Sequence, residues 1–143
     1  IRSLSSRGSL GGLNPSAREI TDFLRYCGFD GVIIETVGVG QSEVEVARLA
    51  DLTILVLVPE SGDEIQNIKS GLMEIAQAFV VNKADREGAD TFANNLKKML
   101  HQQTTAIPVI KTVAEKNEGI AALCKWILKP QAKNNERKTK LPP

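Results

Sequence analysis

Short runs of consecutive apolar residues are the feature that most restricts how this chain can fold. They occupy residues 52–58 (LTILVLV), 78–81 (AFVV), 107–110 (IPVI) and the middle of 30–35 (DGVIIE). Strands with one face in water alternate apolar and polar residues, whereas successive apolar residues are typical of parallel strands that are covered on both faces. The runs therefore predict strands of a mostly parallel sheet, and Pro108 favours an edge or irregular position for the last of them.

Helical patterns lie between the apolar runs. The first begins at Asn14, a predicted N-cap followed by Pro15, and ends at Gly28, a residue type that commonly follows a helix. The others cover residues 42–50, 64–76, the segment with Phe92, Leu96, Met99 and Leu100, and 120–128. Strands that alternate with helices of about ten residues predict right-handed βαβ units. The predicted fold class is therefore α/β, with helices flanking a mostly parallel sheet.

The composition excludes several classes of protein. The chain has 143 residues, of which 24% are charged and 42% hydrophobic, as in an ordinary soluble domain. Its longest apolar stretch, residues 52–59, is far shorter than the roughly 20 residues that cross a bilayer. Cys27 and Cys124 lie far apart and form no CxxC pair, so they predict neither a zinc site nor a disulfide framework. We expect reduced thiols and a cytoplasmic location, with no membrane partner.

None of the 11 glycines is followed by lysine. A Walker A phosphate loop requires Gly-Lys-Ser/Thr to hold phosphates and magnesium, so this sequence contains no such loop. Residues 1–128 are mildly acidic, and basic residues gather from Lys129 onward. Segment 130–143 is therefore predicted to be a solvated basic tail or a truncated linker. It has no aromatic residue on which bases could stack, so no nucleic-acid partner is expected.

Residues 82–85 (NKAD) directly follow the apolar run at 78–81. NKxD after a buried strand is the guanine-binding element of P-loop GTPases. Guanine presents N1–H and the N2 amine as neighbouring donors, and an ionised Asp85 can accept from both, whereas adenine lacks this pair. The lysine stem can lie along the base plane, and Asn82 would tie neighbouring loops together. The simpler alternative is an ordinary strand-to-helix loop in which Asp85 or Asp90 caps the next helix.

A second strand end carries residues 35–42 (ETVGVGQS). An acidic residue at the tip of a buried strand, with glycine three positions later, is the arrangement of a Walker B and switch II element. Glu35 would hold Mg²⁺ directly or through water, because this hard cation prefers carboxylate and water oxygens. Gly38 would present its N–H to the terminal phosphate, an approach that a side chain would obstruct. The alternative is a glycine-rich turn with Ser42 as N-cap.

Two further strand ends complete the pattern. After Val58, acidic residues open a helical segment and Lys69 follows. By spacing alone, a functional segment is no better supported than an ordinary surface helix whose acidic residues favour the helix dipole and whose charges pair in solvent. After residue 110 comes Lys111-Thr112-Val113-Ala114, at the place where a GTPase has its last base-contacting loop. Open parallel sheets bind ligands beyond the carboxyl ends of their strands, so all of these polar residues are candidates for a site.

Together, residues 35–47 (ETVGVGQSEVEVA), 58–71 (VPESGDEIQNIKSG) and 80–85 (VVNKAD) closely resemble the MeaB/ArgK family of GTPases. Residues 2–12 are similar to the family's loop before the strand of switch II, and the resemblance extends over residues 1–128. It implies a P-loop NTPase-type fold whose first βα unit is absent, with residues 1–129 forming the C-terminal portion of the GTPase domain. Family members are chaperones of adenosylcobalamin-dependent methylmalonyl-CoA mutase.

The resemblance also implies roles for individual residues. Glu35 belongs to the magnesium and switch II site, with Gly38 at the phosphate. The guanine contacts are Asn82, Lys83, Asp85 and Ala114. Val113 replaces the usual serine before Ala114, so one hydroxyl is lost from the base-contacting loop. Residues 60–69 resemble switch III, which links nucleotide and mutase, and the matching polar positions are Asp63, Gln66 and Lys69. For the water-positioning or catalytic residue, Gln41 and Lys69 are the candidates.

In this family the phosphate loop and an N-terminal helical part precede the region at Ile1, and a dimerisation arm follows the region of Trp126. We therefore expect the chain to be a fragment that is inactive by itself. The intact protein is expected to be a homodimeric GTPase that uses GTP/GDP and Mg²⁺, assists cofactor loading and protection of an acyl-CoA mutase, and lies in the mitochondrial matrix if eukaryotic.

Two alternatives have different consequences. A nickel-delivery maturation GTPase would usually carry a His- or Cys-rich metal site, whereas His101 is the single histidine, expected to lie exposed at a helix end. A noncatalytic α/β interaction module with degenerate nucleotide motifs would have no Gly-Lys-Ser/Thr upstream. A protein kinase or transport ATPase is disfavoured, because NKAD predicts guanine and not adenine.

Overall fold

The computed structural model describes residues 1, 3–4, 14–36, 42–59, 70–101 and 107–129. The chain divides into two compact units, Ile1–Leu52 and Thr53–Pro143. The described elements are α1 (Ala17–Tyr26), α2 (Ser42–Leu49), β1 (Ile54–Leu57), α3 (Ser70–Ile75), β2 (Ala78–Val81), α4 (Ala89–Leu100), β3 (Val109–Lys111), a 3₁₀ turn (Ala114–Lys116) and α5 (Ile120–Ile127). No helix in these ranges combines the length and apolarity that a membrane crossing requires.

The three described strands form one parallel sheet in the order β1-β2-β3. The central strand is apolar at every position, and its residues are only 0–3% exposed. Its partners are aligned from Ile54 opposite Ala78 and from Phe79 opposite Val109. The predicted α/β class and parallel sheet are therefore confirmed, since only a strand covered on both faces can bury four consecutive apolar residues.

Pro108 explains where the third strand begins. Its carbonyl accepts a hydrogen bond from the N–H of Phe79 at 2.9 Å, so the proline supports the ladder with the one backbone polar group that it has. The strand itself starts one residue later, at Val109, and pairs only with β2 among the described strands. Among the described strands β3 is therefore at the edge of the sheet, which agrees with the predicted edge or irregular position, and the strand is shifted toward Lys111.

Helix α4 covers the sheet of its unit with the apolar stripe that the sequence predicted. Phe92, Leu96 and Leu100 are buried at helical spacing, and Met99 packs partly buried beside them. They form one core with strand β2 and with Met73 and Ala76, which lie in and just after α3. Truncating a fully buried leucine such as Leu96 typically costs about 2–5 kcal/mol, so this helix contributes much of the unit's stability.

The predicted strand at 30–35 is not formed. Residues 31–36 pair with no strand among the described residues, and the Ile33 side chain is 97% exposed. Consecutive apolar residues indicate only that both faces of a segment favour burial. A strand also needs a neighbour to satisfy its N–H and C=O groups, and the apolar pattern does not specify that neighbour.

The start of α1 differs from the prediction by two positions. Ser16, not Asn14, is the residue before the helix, and its side chain makes no capping bond. Asn14 instead accepts a hydrogen bond from the N–H of Ser16 on its side-chain oxygen at 2.9 Å, so it forms a turn ahead of the helix. The predicted end is confirmed, because Gly28 follows the helix with a positive φ of 81°.

Gly119 connects the loop after β3 to helix α5 and has a positive φ of 74°. Val113 and Glu118 are joined by two backbone hydrogen bonds of 3.0 and 3.2 Å, which fold the loop tightly back on itself. A Cβ atom at position 119 would collide with the carbonyl oxygen of Lys111. Only glycine satisfies both the backbone conformation and this close approach.

Gly119→Ala should lower the free energy of unfolding by about 2–5 kcal/mol, since left-handed backbone and overpacking both oppose the methyl group. Gly88 is the matched control, because it also has a positive φ of 80° but a methyl group there would meet nothing within 4 Å beyond its own chain neighbours. Gly88→Ala should cost only about 1–2 kcal/mol. Urea unfolding of both variants measures the difference, and equal losses would contradict the collision.

Candidate functional site

Two loops meet at the carboxyl edge of the sheet because β2 and β3 run parallel. Residues 82–86 leave β2 and residues 112–116 leave β3. Backbone hydrogen bonds join them: Thr112 N–H donates to the Val81 carbonyl at 2.9 Å, and Ala84 N–H donates to the Thr112 carbonyl at 3.0 Å. This edge is where open parallel sheets bind ligands.

Asn82 holds the strand ends together. Its N–H donates to the Leu57 carbonyl at the end of β1 at 2.8 Å. Its Oδ1 accepts from the Thr112 hydroxyl and from the Ala114 N–H, both at 3.1 Å. A backbone N–H can only donate, so the atom facing Ala114 must be the amide oxygen. Asn82 therefore ties the neighbouring loops together, as its sequence position suggested, and Thr112 is only 2% exposed beneath it.

Lys83 has a positive φ of 55°, an uncommon conformation for a residue other than glycine. The hydrogen bonds of Asn82 and Ala84 fix the backbone on both sides of it. The Lys83 carbonyl accepts from Arg86 N–H at 3.1 Å, which turns the chain back toward α4. The surrounding contacts thus impose this backbone conformation on Lys83, which lies between Asn82 and Asp85 in the predicted base-binding segment.

Asp85 forms an ion pair across the two loops. Its Oδ2 accepts from Lys116 Nζ at 2.7 Å, and the side chains are 42% and 57% exposed respectively. The hydrogen bond from Lys116 is the main cause that holds the pKa of Asp85 below its ordinary value, and the same bond raises the pKa of Lys116. An exposed aspartate is ionised at neutral pH even at its ordinary pKa, and the ionised carboxylate is the state that accepts hydrogen bonds from a base edge.

Asp90 forms a second, similar ion pair. Its Oδ1 accepts from Lys111 Nζ at 2.6 Å, and this contact lowers the pKa of Asp90. The residue before α4 is Gly88, with no side-chain capping bond. The alternative in which Asp85 or Asp90 caps this helix is therefore wrong, because both carboxylates are directed to lysines of the neighbouring strand and loop.

Glu35 lies in the segment after α1 and is exposed. No group of three or more His, Cys, Asp or Glu side chains within the described part of the chain is placed to hold a metal ion. Magnesium bound to a nucleotide typically takes only one or two protein carboxylates, with phosphates and waters as the other ligands. A single accessible carboxylate such as Glu35 fits that requirement, and its magnesium role stays a prediction.

Several predicted residues fall outside the described residues. They are Gly38, Gln41, Asp63, Gln66 and Lys69, and their roles stay predictions. His101 is exposed directly after α4, and both cysteines are free and exposed.

Thr112 was predicted only as part of the loop after the last strand, without a specific contact, and no role was predicted for Lys116. A hydroxyl at the end of an apolar run is a signal that could have indicated Thr112. No comparable signal existed for Lys116, because its pairing with Asp85 spans 31 positions and depends on loop geometry.

Comparison of the sequence with known proteins agrees with the resemblance found in its motifs. A family model described as "Methylmalonyl Co-A mutase-associated GTPase MeaB" matches residues 1–139. A Pyrococcus abyssi protein named "Putative GTPase" is 46% identical over 130 residues, which are 86% of this chain and 40% of that protein. The Escherichia coli GTPase ArgK is 41% identical over 111 residues, 78% of this chain and 32% of ArgK. A Mus musculus protein named "Methylmalonic aciduria type A homolog, mitochondrial" is 36% identical over 131 residues, with 86% and 32% covered. The chain spans less than half the length of these relatives.

The bond between Thr112 and Asn82 can be measured by a double-mutant cycle. Thr112→Val removes the hydroxyl with little change in shape, and Asn82→Ala removes its acceptor. We expect a coupling of about 0.5–1.5 kcal/mol in the free energy of unfolding, because the hydroxyl is buried. Pairing Thr112→Val with Asn95→Ala, an exposed asparagine of α4, should give no coupling. Similar values in both cycles would refute a specific bond.

Proposed function

This chain belongs to the MeaB family of methylmalonyl-CoA mutase-associated GTPases, and we propose that the intact protein binds GTP and hydrolyses it to GDP and phosphate. The observation that carries the proposal is the joining of residues 82–85 to residues 112–116 at the carboxyl edge of a parallel sheet. The relatives named as GTPases support the activity. The substrate follows from the chemistry of the base site.

Asp85 is the group that would select guanine. Its ionised carboxylate offers two oxygens to the neighbouring N1–H and N2 donors of the base, whereas adenine would leave the carboxylate partly unpaired. The Lys83 stem would lie along the base plane. Ala114 N–H already donates to Asn82, so a base carbonyl would share that donor in a three-centre bond.

The phosphates and magnesium would be bound by other parts of the protein. Gly38 would donate its N–H to the terminal phosphate, and Glu35 would hold Mg²⁺ directly or through water. Magnesium supplies charge neutralisation on the phosphate oxygens. Gln41 or Lys69 would orient the attacking water. The sequence contains no Gly-Lys-Ser/Thr, so we assign the remaining phosphate contacts to a loop that these residues do not include.

We assign an adenosylcobalamin-dependent acyl-CoA mutase as the partner, which the family name supports. Hydrolysis would alter the contacts of residues 35–41, and Asp63, Gln66 and Lys69 would transmit the change to the mutase. The protein would thereby control cofactor loading and protection of the mutase. A homodimer in the cytoplasm, or in the mitochondrial matrix of a eukaryote, completes the proposal, and the name of the mouse relative agrees with the latter.

Asp85→Asn in the intact protein should move preference from GTP toward xanthosine triphosphate. The amide of asparagine can donate to the xanthine carbonyl that replaces the N2 amine, so the ratio of the two affinities should change by about tenfold or more. Asp90→Asn is the matched control, since Asp90 is also an exposed aspartate paired with a lysine. Competition binding measures both ratios, and an unchanged GTP preference in Asp85→Asn would refute the base site.

Lys69→Ala should leave GTP affinity within about twofold and reduce mutase-stimulated hydrolysis by about five- to 100-fold, the usual range of coupling between two sites. Lys97→Ala, at an exposed lysine of α4, is the control and should keep full stimulation. Phosphate release with and without the mutase separates the two predicted roles of Lys69. Equal stimulation in the variant would exclude the partner role, and an equal loss of basal hydrolysis would assign Lys69 to the water.

A further inference from the structure

We propose that Lys116 occupies the guanine-selecting carboxylate of Asp85 when no base is bound, and that it sets base affinity by competing with guanine for one carboxylate oxygen. This inference rests on the proposed function. It assigns a positioning role to a residue that acts through Asp85, on the loop whose Ala114 is predicted to contact the base.

The backbone around Lys116 is fixed, while its side chain can leave. Lys116 N–H donates to the Val113 carbonyl at 3.0 Å, and Asn117 closes the turn with a positive φ of 57°. The paired backbone of Val113 and Glu118 holds the base of the loop. The Lys116 side chain, more than half exposed, can turn into water without breaking any of these bonds. The ammonium group is therefore a replaceable occupant of the site.

The ammonium group and the guanine edge make the same demand on Asp85. Toward Asp85 both present N–H donors, the ammonium group with its three and guanine with N1–H and the N2 amine, and both are satisfied by carboxylate oxygens. Lys116 uses Oδ2 at 2.7 Å. Guanine needs both oxygens, one for N1–H and one for the N2 amine, so it must displace the lysine. Hypoxanthine has no N2 amine, and its single N1–H can use Oδ1 while Lys116 remains on Oδ2.

The ion pair of Asp90 with Lys111 is a comparison for that of Asp85 with Lys116, because its carboxylate is not predicted to bind the base. It has nearly the same length, 2.6 Å, and its lysine is about as exposed as Lys116, although the Asp90 side chain is more exposed than that of Asp85, 77% against 42%. Its carboxylate belongs to helix α4 and is not part of the NKAD segment. Lys111 was predicted to precede the base-contacting loop, but the structure places it in β3 with its ammonium group on Asp90. Removing it changes the charge by the same amount as removing Lys116 and leaves the contacts of Asp85 intact.

The test uses the intact GTPase with Lys116→Gln or Lys111→Gln, and GDP and IDP as probes in titration calorimetry. Lys116→Gln should bind GDP about two- to fivefold more tightly, the range that an exposed ion pair allows, and IDP less than about 1.5-fold more tightly. Lys111→Gln should leave both affinities within about 1.5-fold. Raising the salt concentration should shrink the advantage of Lys116→Gln for GDP, because salt screens the pair in the unchanged protein.

A readout without nucleotide completes the test. The pKa of the Asp85 carboxyl, followed by NMR, should rise toward its ordinary value in Lys116→Gln and stay low in Lys111→Gln, since the lysine hydrogen bond is the main cause of the lowered pKa. An unchanged pKa would overturn the pairing. Unfolding midpoints check that both variants are folded.

The possible failures are distinguishable. If Asp85→Asn shifts the preference from GTP to xanthosine triphosphate but Lys116→Gln binds GDP no more tightly, the proposed competition by Lys116 is refuted. The assignment of Asp85 to the base site is then still supported. If GDP and IDP gain equally, Lys116 has a structural role and the inference is overturned. If the intact protein binds no guanine nucleotide, the proposed function and this inference both fall.

Discussion

The pairing of the buried strand β2 with a parallel neighbour on each side is the constraint on which the rest of the second unit depends. Its four apolar residues have no polar side chain to offer water, so the strand is stable only when the sheet and α4 cover it. Burying such residues contributes about 1.5–3 kcal/mol for each large side chain. Because both neighbours run parallel to β2, all three strands release their following loops at one edge. The buried core therefore determines at which edge of the sheet the polar loops lie.

That edge was predictable from the sequence, because consecutive apolar residues and their alternation with helical patterns can be recognised locally and indicate parallel strands. The apolar runs at 52–58 and 78–81 predicted parallel strands, and the position of NKAD directly after one of them indicated a site. The strand expected at 30–35 was not formed, since its apolar pattern expressed a preference for burial without specifying a hydrogen-bonded neighbour. The apolar pattern of one segment predicts which of its faces are buried. It does not predict the strand with which that segment pairs, because pairing depends on two segments.

The polar contacts of the site were predictable only in part, because they too depend on which segments lie side by side. Asn82 could be assigned to tie loops together, because its place after the strand puts it beside the next strand end. Its particular partners, a buried hydroxyl and the Ala114 N–H, required the register of β2 against β3. The contact of Lys116 with Asp85 required in addition the turn closed by Asn117 and Gly119, which brings a distant lysine onto the carboxylate.

An exposed carboxylate that selects a base must be ionised before the base arrives and must be free when it does. An exposed aspartate is ionised at neutral pH even at its ordinary pKa, so Lys116 is not needed to charge Asp85, and in the proposed base site it acts only as a competitor for the Oδ2 atom. Exposure weakens this competition: water screens the pair, so the lysine is held weakly enough to be displaced. Burying the same pair would make it costly to open, because each separated charge would lose its partner. An accessible lysine on a rigid turn therefore suits a site that must bind and release its ligand.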